Sequence, residues 1–165
     1  MSTPKASKTN AARALDALGI DYELRAYEVD LNDLSAPNVA AKVGMPVEQV
    51  FKTLVTRASD GEHLFAVLPG NSELDLKKLA SAAGVRKVEL AALKDVEHLT
   101  GYIRGGVTVM AAKKPFRAFA DETIELFDQI CVSAGQRGLQ LTLAPEDYLR
   151  ASGAEIADLT KEPTH

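Results

Sequence analysis

The apolar residues of the chain recur with two spacings, which predict helices in some stretches and strands in others. Three stretches carry apolar residues at three- and four-residue intervals, as on one face of a helix. Each follows a residue able to cap a helix and ends at a glycine. The predicted caps are Asn10, Ser35 and Asp75, and the predicted ends are Gly19, Gly44 and Gly84. Two more helices are predicted, one at 92–99 closed by Gly101 and one after Ala144-Pro145.

Alternating apolar and polar residues predict strands over much of the remaining chain. Residues 20–29 alternate as in a half-buried strand. One hairpin is predicted to turn at 59–61 and a second at 135–138, and shorter strands are predicted at 87–90, 116–120 and 155–159. Hairpins are mixed with helices, and strands and helices do not alternate regularly. This order predicts an α+β fold in which a mixed, mostly antiparallel or barrel-like sheet is surrounded by helices.

Length and composition limit the classes to which the chain can belong. With 165 residues, 46% hydrophobic and 25% charged, it suits one ordered domain, predicted at 10–160 after a flexible tail at 1–9. The net charge of −4 excludes a polybasic nucleic-acid or membrane-surface protein but allows a local basic patch. The single cysteine excludes an intramolecular disulfide. With no long apolar run and no signal peptide, a soluble cytoplasmic protein is expected.

Common catalytic and metal-binding signatures are missing from the sequence. It contains no nucleophile elbow, no zinc-protease motif, no Cys-x-x-Cys pair and no phosphate-binding loop. The histidines His63, His98 and His165 lie far apart, so neither a metal site nor a cofactor is predicted. Cys131 lies in an apolar strand, which favours a small buried side chain over a reactive thiol.

Lys52 is an unusual charged residue because it opens a strand that otherwise carries Phe51, Leu54 and Val55. A lysine at such a position can lie at an edge, with its stem on apolar neighbours and its ammonium in solvent. It can also point into a cleft and hold a carbonyl oxygen or a phosphate. The spacing alone leaves both interpretations open.

Two further groups of residues are candidates for ligand contacts. Gly101, Gly105 and Gly106 would let a ligand approach the backbone, or would form turns on either side of a strand. The second group is basic and consists of Arg104, Lys113, Lys114 and Arg117. In an acidic chain this group suits either phosphate contacts or a solvated face.

Four segments follow one another along the chain, namely FKTLVTR, LDLKKLASAAGVRKVELA, TGYIRGGV and VSAGQRGLQLTLAPEDYL. Together they resemble the YbaK/EbsC family of aminoacyl-tRNA deacylases, close to its Cys-tRNA(Pro) deacylase branch, over nearly all of 10–160. The resemblance implies an α+β fold related to the editing domain inserted in bacterial prolyl-tRNA synthetases. It implies that Lys52 is the essential catalytic lysine. The residues predicted to contact the substrate are Tyr27, Gly101, Gly105, Gly106, Ala111 and Asp147.

The resemblance also implies a reaction. A proline-sized site rejects cysteine and alanine poorly, so a second, hydrolytic pocket is needed to correct mischarging. In the implied mechanism the cysteinyl thiol attacks its own ester carbonyl and expels the tRNA 3′ end. The protein then supplies orientation and charge stabilisation. The implied partners are tRNA(Pro) and prolyl-tRNA synthetase, with no cofactor, metal or membrane.

Alternatives stay open because this sequence departs from the family pattern. Val109 stands where the family usually has proline, and Ala111 where it has a second glycine. Gln140 differs from the small hydroxyl residue often found at its position. A deacylase of another mischarged tRNA such as Ala-tRNA(Pro), or a catalytically silent module that binds tRNA or the synthetase, is therefore an alternative to a Cys-tRNA(Pro) deacylase.

Overall fold

A computed structural model describes residues 8–162, so most of the predicted tail at 1–9, and His165, lie outside the described residues. Five helices are described: α1 Asn10–Ala17, α2 Ala36–Val43, α3 Leu76–Ala83, α4 Leu93–Thr100 and α5 Pro145–Ser152. The first four strands are β1 Glu23–Ala26, β2 Phe51–Ala58, β3 His63–Pro69 and β4 Val88–Leu90. The others are β5 Arg117–Asp121, β6 Ile130–Gln136, β7 Leu139–Leu143 and β8 Glu155–Ala157. None of the helices in 8–162 is long and apolar enough to cross a membrane.

The strands form two sheets. The five-stranded sheet has the order β4-β2-β3-β5-β8, and the three-stranded sheet has the order β1-β7-β6. The pairs β3–β5 and β5–β8 are parallel, and the other pairs in both sheets are antiparallel. A parallel bridge between Val50 and Cys131 joins the sheets where β2 begins. The predicted α+β class with a mixed, mostly antiparallel sheet is confirmed, and its division into two sheets is an addition from the structure.

Strand β3 is buried on both faces, which explains its uninterrupted apolar sequence LFAVL. Phe65 and Val67 point to a core shared with α1, α4, the three-stranded sheet and α5. Leu64 and Leu68 point to a second core beneath α3. The five-stranded sheet is therefore covered on both sides, and only selected side chains of β2 reach solvent or a cavity.

Local signals set most element boundaries. Ser35 and Asp75 cap α2 and α3 as predicted, and Gly44 and Gly84 end these helices in the left-handed conformation. The cap of α1 is Thr9 and not the predicted Asn10, because the Thr9 hydroxyl accepts a hydrogen bond from the Ala12 N–H.

The strand predicted at 20–29 is shortened to β1, because only Glu23 to Ala26 pair with β7. The segment 101–116 contains neither helix nor strand. The interpretation of its glycines as turns on either side of a strand is therefore wrong.

Candidate active site

A cavity of about 390 Å³ lies between the start of β2, the start of α2 and the segment that leads into α4. We call it the Lys52 cavity. Its wall is mainly apolar and includes Val39, Leu54, Val96 and Val107. The hairpin β6–β7 adds Ser133 and Gln140, which face each other in the strand register. A mostly apolar concavity of this volume with a few polar groups is typical of a small-ligand site.

The Lys52 side chain lies half-buried in the wall of this cavity. Its ammonium donates to the Ser72 carbonyl at 2.7 Å and to the Gly70 carbonyl at 3.5 Å. Burial lowers the pKa of Lys52, and the nearby Glu73 carboxylate acts in the opposite direction. An ammonium has three N–H donors, so one donor is left after these two carbonyls. Lys52 therefore lines a cavity, and its predicted catalytic role stays a prediction.

Lys52 also lines a second concavity, which extends along the 70–77 segment to Lys161. Leu54 and Gly70 belong to both walls. Lys52 therefore lies between two adjacent concavities and contributes to the wall of each.

Of the glycines in the predicted site, Gly105 lies in the wall of the Lys52 cavity. Gly106 serves packing, since a Cβ atom added there would lie 2.9 Å from the Cα atom of Gln136. Gly101 ends α4 with a φ of 81°, a conformation that favours glycine. The structure thus brings Lys52 and Gly105 together and places the other two glycines in the scaffold of the loop.

The other predicted substrate contacts do not line the Lys52 cavity. Tyr27 follows β1, and its N–H donates to the Gly138 carbonyl. Asp147 lies in the first turn of α5, with a carboxylate oxygen 3.8 Å from the Arg150 guanidinium. The predicted roles of Tyr27, Asp147 and Ala111 stay predictions.

Ala111 has a φ of 57° and is the only residue other than glycine with a positive φ in the described part of the chain. The left-handed conformation costs a residue with a Cβ atom about 1–2 kcal/mol. The loop is held next to it by the Tyr102 hydroxyl, which donates to the Met110 carbonyl at 2.7 Å. Alanine therefore stands at a position whose backbone favours the glycine of the family pattern.

Several polar residues of the Lys52 cavity are absent from the predicted site, among them Ser133 and Gln140. The sequence assigns no role to Ser133, and Gln140 stands out there only as a departure from the family pattern. Both lie on strands of the predicted second hairpin, and the register of that hairpin shows that they face each other. The Gln140 side chain is 5% exposed and lies 3.5 Å from the Cys131 thiol, which donates to its carboxamide oxygen.

Cys131 is fully buried, as predicted, and burial raises the pKa of its thiol to about 12. Such a thiol stays protonated at neutral pH and is a poor nucleophile. His63 lies on β3 and His98 on α4, and within 8–162 no three histidine, cysteine or acidic side chains gather as metal ligands would.

Comparison with known proteins places this geometry in a family. Residues 34–151 match the family described as the aminoacyl-tRNA editing domain. EbsC of Enterococcus faecalis is 43% identical over 153 residues, which is 93% of either chain. Its name gives Cys-tRNA(Pro)/Cys-tRNA(Cys) deacylase as a proposed activity.

Two more distant matches are also proteins named for tRNA deacylation or editing. The multifunctional Ser/Thr-tRNA deacylase ProXp-y of Escherichia coli is 29% identical over 122 residues, 72% of this chain and 73% of that one. A crystal structure described as a proposed trans-editing enzyme for prolyl-tRNA synthetase has a TM-score of 0.80 and 25% identity, covering 98% of this chain and 100% of that one. The resemblance inferred from the four sequence segments is confirmed, and the chain belongs to the aminoacyl-tRNA editing domain family.

Proposed function

We propose that the protein is a trans-editing hydrolase that cleaves the ester bond of mischarged Cys-tRNA(Pro). The observation that carries the proposal is the Lys52 ammonium, held in the cavity wall by the Ser72 carbonyl with a donor to spare. The names of two similar proteins, EbsC and the proposed trans-editing enzyme for prolyl-tRNA synthetase, support this choice of substrate. Such a substrate is made in the cytoplasm, where the proposal places the protein.

The lining of the Lys52 cavity supports a nucleophile that comes from the substrate. In the described part of the chain, its polar side chains are Lys52, hydroxyls, one carboxamide and Arg104, with no carboxylate, imidazole or thiol. A general base is usually a carboxylate or an imidazole within hydrogen-bond reach of the proton that it accepts. The ester of an aminoacyl-tRNA is activated, so orientation and charge stabilisation contribute a large part of what the reaction needs.

The proposed step begins with the thiol of the bound cysteinyl group. Its sulfur bonds to the carbonyl carbon of the same residue, and the ester bond to the tRNA 3′ oxygen breaks. The thiol proton leaves the sulfur, and a proton ends on the departing 3′ oxygen. Water then opens the resulting thioester and releases free cysteine, so that hydrolysis is the net reaction.

Lys52 stabilises a substrate oxygen as negative charge develops on it. The free N–H of its ammonium donates to that oxygen in a half-buried site, where a charged donor acts more strongly than in water. The two carbonyl acceptors fix the ammonium before the substrate arrives. This arrangement also explains a lysine near the start of a strand that otherwise packs apolar residues.

The family supports tRNA as the partner, and we further propose that prolyl-tRNA synthetase helps to select tRNA(Pro). The net charge of −4 predicts weak intrinsic affinity for a polyanion, so selection by a second protein would add what the domain lacks.

A deacylation assay on mischarged and correctly charged tRNA(Pro) tests the proposed function. Cysteinyl, alanyl and prolyl esters on the same tRNA are incubated with the protein, and the remaining ester is measured over time. We expect cleavage of the cysteinyl ester and survival of the prolyl ester. Preferential cleavage of the alanyl ester would assign the protein to alanine editing, and cleavage of none would make it a binding module. Either result would overturn the proposal.

A further inference from the structure

A third concave surface, next to the Lys52 cavity, lies beside α4 and is rich in positive charge. We call it the α4 cleft. It encloses about 750 Å³ and is lined by residues of α4 and of the following loop. Its charged and titratable residues are Lys94, Glu97, His98, Arg104 and Lys113. Its lysines and its arginine outnumber its single carboxylate by three to one, in a chain whose net charge is −4.

The cations of the α4 cleft are available to a ligand. Lys94, Arg104 and Lys113 are exposed, and none of them forms a salt bridge with another residue between 8 and 162. Arg117 differs from these three because it pairs with Glu62 at 2.6 Å and lies outside the cleft. The basic group predicted from the sequence is therefore divided, and Arg104 and Lys113 are its members within the cleft.

The backbone around the α4 cleft is held in place by hydrogen bonds within the protein. The Lys113 N–H donates to the Thr100 carbonyl at 2.8 Å, which ties the end of the loop to the end of α4. The Arg137 guanidinium donates to the Arg104 carbonyl at 2.7 Å, which ties the middle of the loop to the β6–β7 hairpin. A preformed site orders less chain on binding and so loses less free energy.

The α4 cleft adjoins the Lys52 cavity, and the two share Leu93, Val96 and Arg104. An aminoacyl group in the Lys52 cavity is joined through its ester to a chain of phosphates that must leave the cavity. The cations of the cleft lie where these phosphates would leave the cavity. An acidic protein partner does not need a site next to the substrate cavity. This adjacency favours RNA as the ligand.

We propose that the α4 cleft binds backbone phosphates of the acceptor strand of tRNA next to the aminoacylated 3′ end, with Lys94 and Lys113 as phosphate contacts. The proposal rests on the proposed function, since it assumes that the ester bond lies in the Lys52 cavity. Phosphate contacts by lysine position the RNA without reading its sequence. The cleft would therefore align the strand, and base-specific selection would come from elsewhere.

The test measures binding of uncharged tRNA(Pro) by fluorescence anisotropy over a range of salt concentrations. Each phosphate contact to a single strand contributes a slope of about −0.7 to a plot of log affinity against log salt. The double variant Lys94→Ala/Lys113→Ala should therefore lose about 1.4 from the magnitude of the wild-type slope. Lys87→Ala is the matched control, since Lys87 is an exposed lysine outside all three concave surfaces. It should keep the wild-type slope.

A second measurement shows whether the cleft recognises the phosphates of tRNA or free phosphate. It also tests the phosphate site separately from the proposed function. The ratio of kcat/KM for Cys-tRNA(Pro) to kcat/KM for a phosphate-free cysteinyl adenosine ester should fall at least tenfold in the double variant. Inorganic phosphate at millimolar concentration should not displace tRNA from the wild type.

The phosphate site would be overturned if the double variant kept the wild-type slope, or if Lys87→Ala lost as much of the slope as the double variant. It would also be overturned if the wild type did not bind tRNA. Displacement of tRNA by inorganic phosphate, or an unchanged ratio, would overturn it as well. A reduced slope together with no ester cleavage by the wild type would support the site and overturn the proposed function.

Discussion

Replacing Lys52 by methionine removes the ammonium and keeps an unbranched side chain of similar length. The Ser72 and Gly70 carbonyls lose their donor, and the apolar neighbours of the stem keep their contacts. Lys52→Met therefore tests the charge and its hydrogen bonds, with little change in packing.

The stability of Lys52→Met depends on two opposing effects. A hydrogen bond from a charged group contributes about 1.5–3 kcal/mol. Burial lowers the pKa of Lys52, because burying the protonated amine costs free energy. At neutral pH the methionine variant does not have this cost. We expect a net loss of about 2 kcal/mol or less, against the roughly 5–15 kcal/mol that keeps a domain folded. In a domain of this size the loss corresponds to a fall in Tm of up to about 8 °C.

The activity of Lys52→Met should fall much further than its stability. Removing one preorganised donor to a developing negative charge costs about 10²–10³ in kcat. The assay follows cleavage of Cys-tRNA(Pro) under single-turnover conditions, with circular dichroism to verify folding. Lys87→Met, which changes an exposed lysine, should retain wild-type activity. A folded Lys52→Met protein with a rate within tenfold of the wild type would refute the assignment of Lys52.

Three further variants test the loop and the buried thiol. Ala111→Gly should stabilise the protein by about 0.5–1 kcal/mol in urea unfolding, because relief of the left-handed strain exceeds the added entropy of the unfolded chain; a loss of stability would contradict the assigned backbone conformation. Gly106→Ala should cost about 1–3 kcal/mol, since its Cβ would lie 2.9 Å from the Gln136 Cα atom, and a wild-type Tm would show that the loop does not pack there. Cys131→Ala should lower the stability by about 1 kcal/mol and leave the deacylation rate within tenfold of the wild type, because the thiol is buried with a pKa of about 12. A chelator should also leave the rate within tenfold, because no cluster of metal-ligating side chains lies within 8–162. A larger loss of activity in either case would assign the thiol or a metal a part in the reaction.

Much of the fold could be predicted because its signals are local. The Ser59-Asp60-Gly61 turn joins β2 and β3 in the predicted hairpin, and Asp75 caps α3 with its carboxylate on the Lys77 and Lys78 N–H groups. These features depend on residues a few positions apart. The parallel pairing of β3 with β5 joins distant segments, so no short pattern could indicate it or the division into two sheets.

The site was predictable to a smaller extent for the same reason. Lys52 stands out in the sequence because a charge interrupts an apolar strand. Its hydrogen bond to Ser72 requires the whole β2–β3 hairpin to return the chain to that point. Gly105 and Gly106 look equivalent in the sequence, yet one lines the cavity and the other packs on the backbone of Gln136.

The substrate-thiol mechanism is tested most directly by the relative rates at which cysteinyl, seryl and alanyl esters are cleaved on the same tRNA(Pro). A thiol is a few per cent thiolate at pH 7 and is a far stronger nucleophile than a hydroxyl, and an alanine side chain has no group to attack with. The mechanism predicts the order cysteine, serine, alanine, with the alanyl ester cleaved slowest. Cleavage of the alanyl ester as fast as the cysteinyl ester would show that water attacks the carbonyl, and would contradict the mechanism.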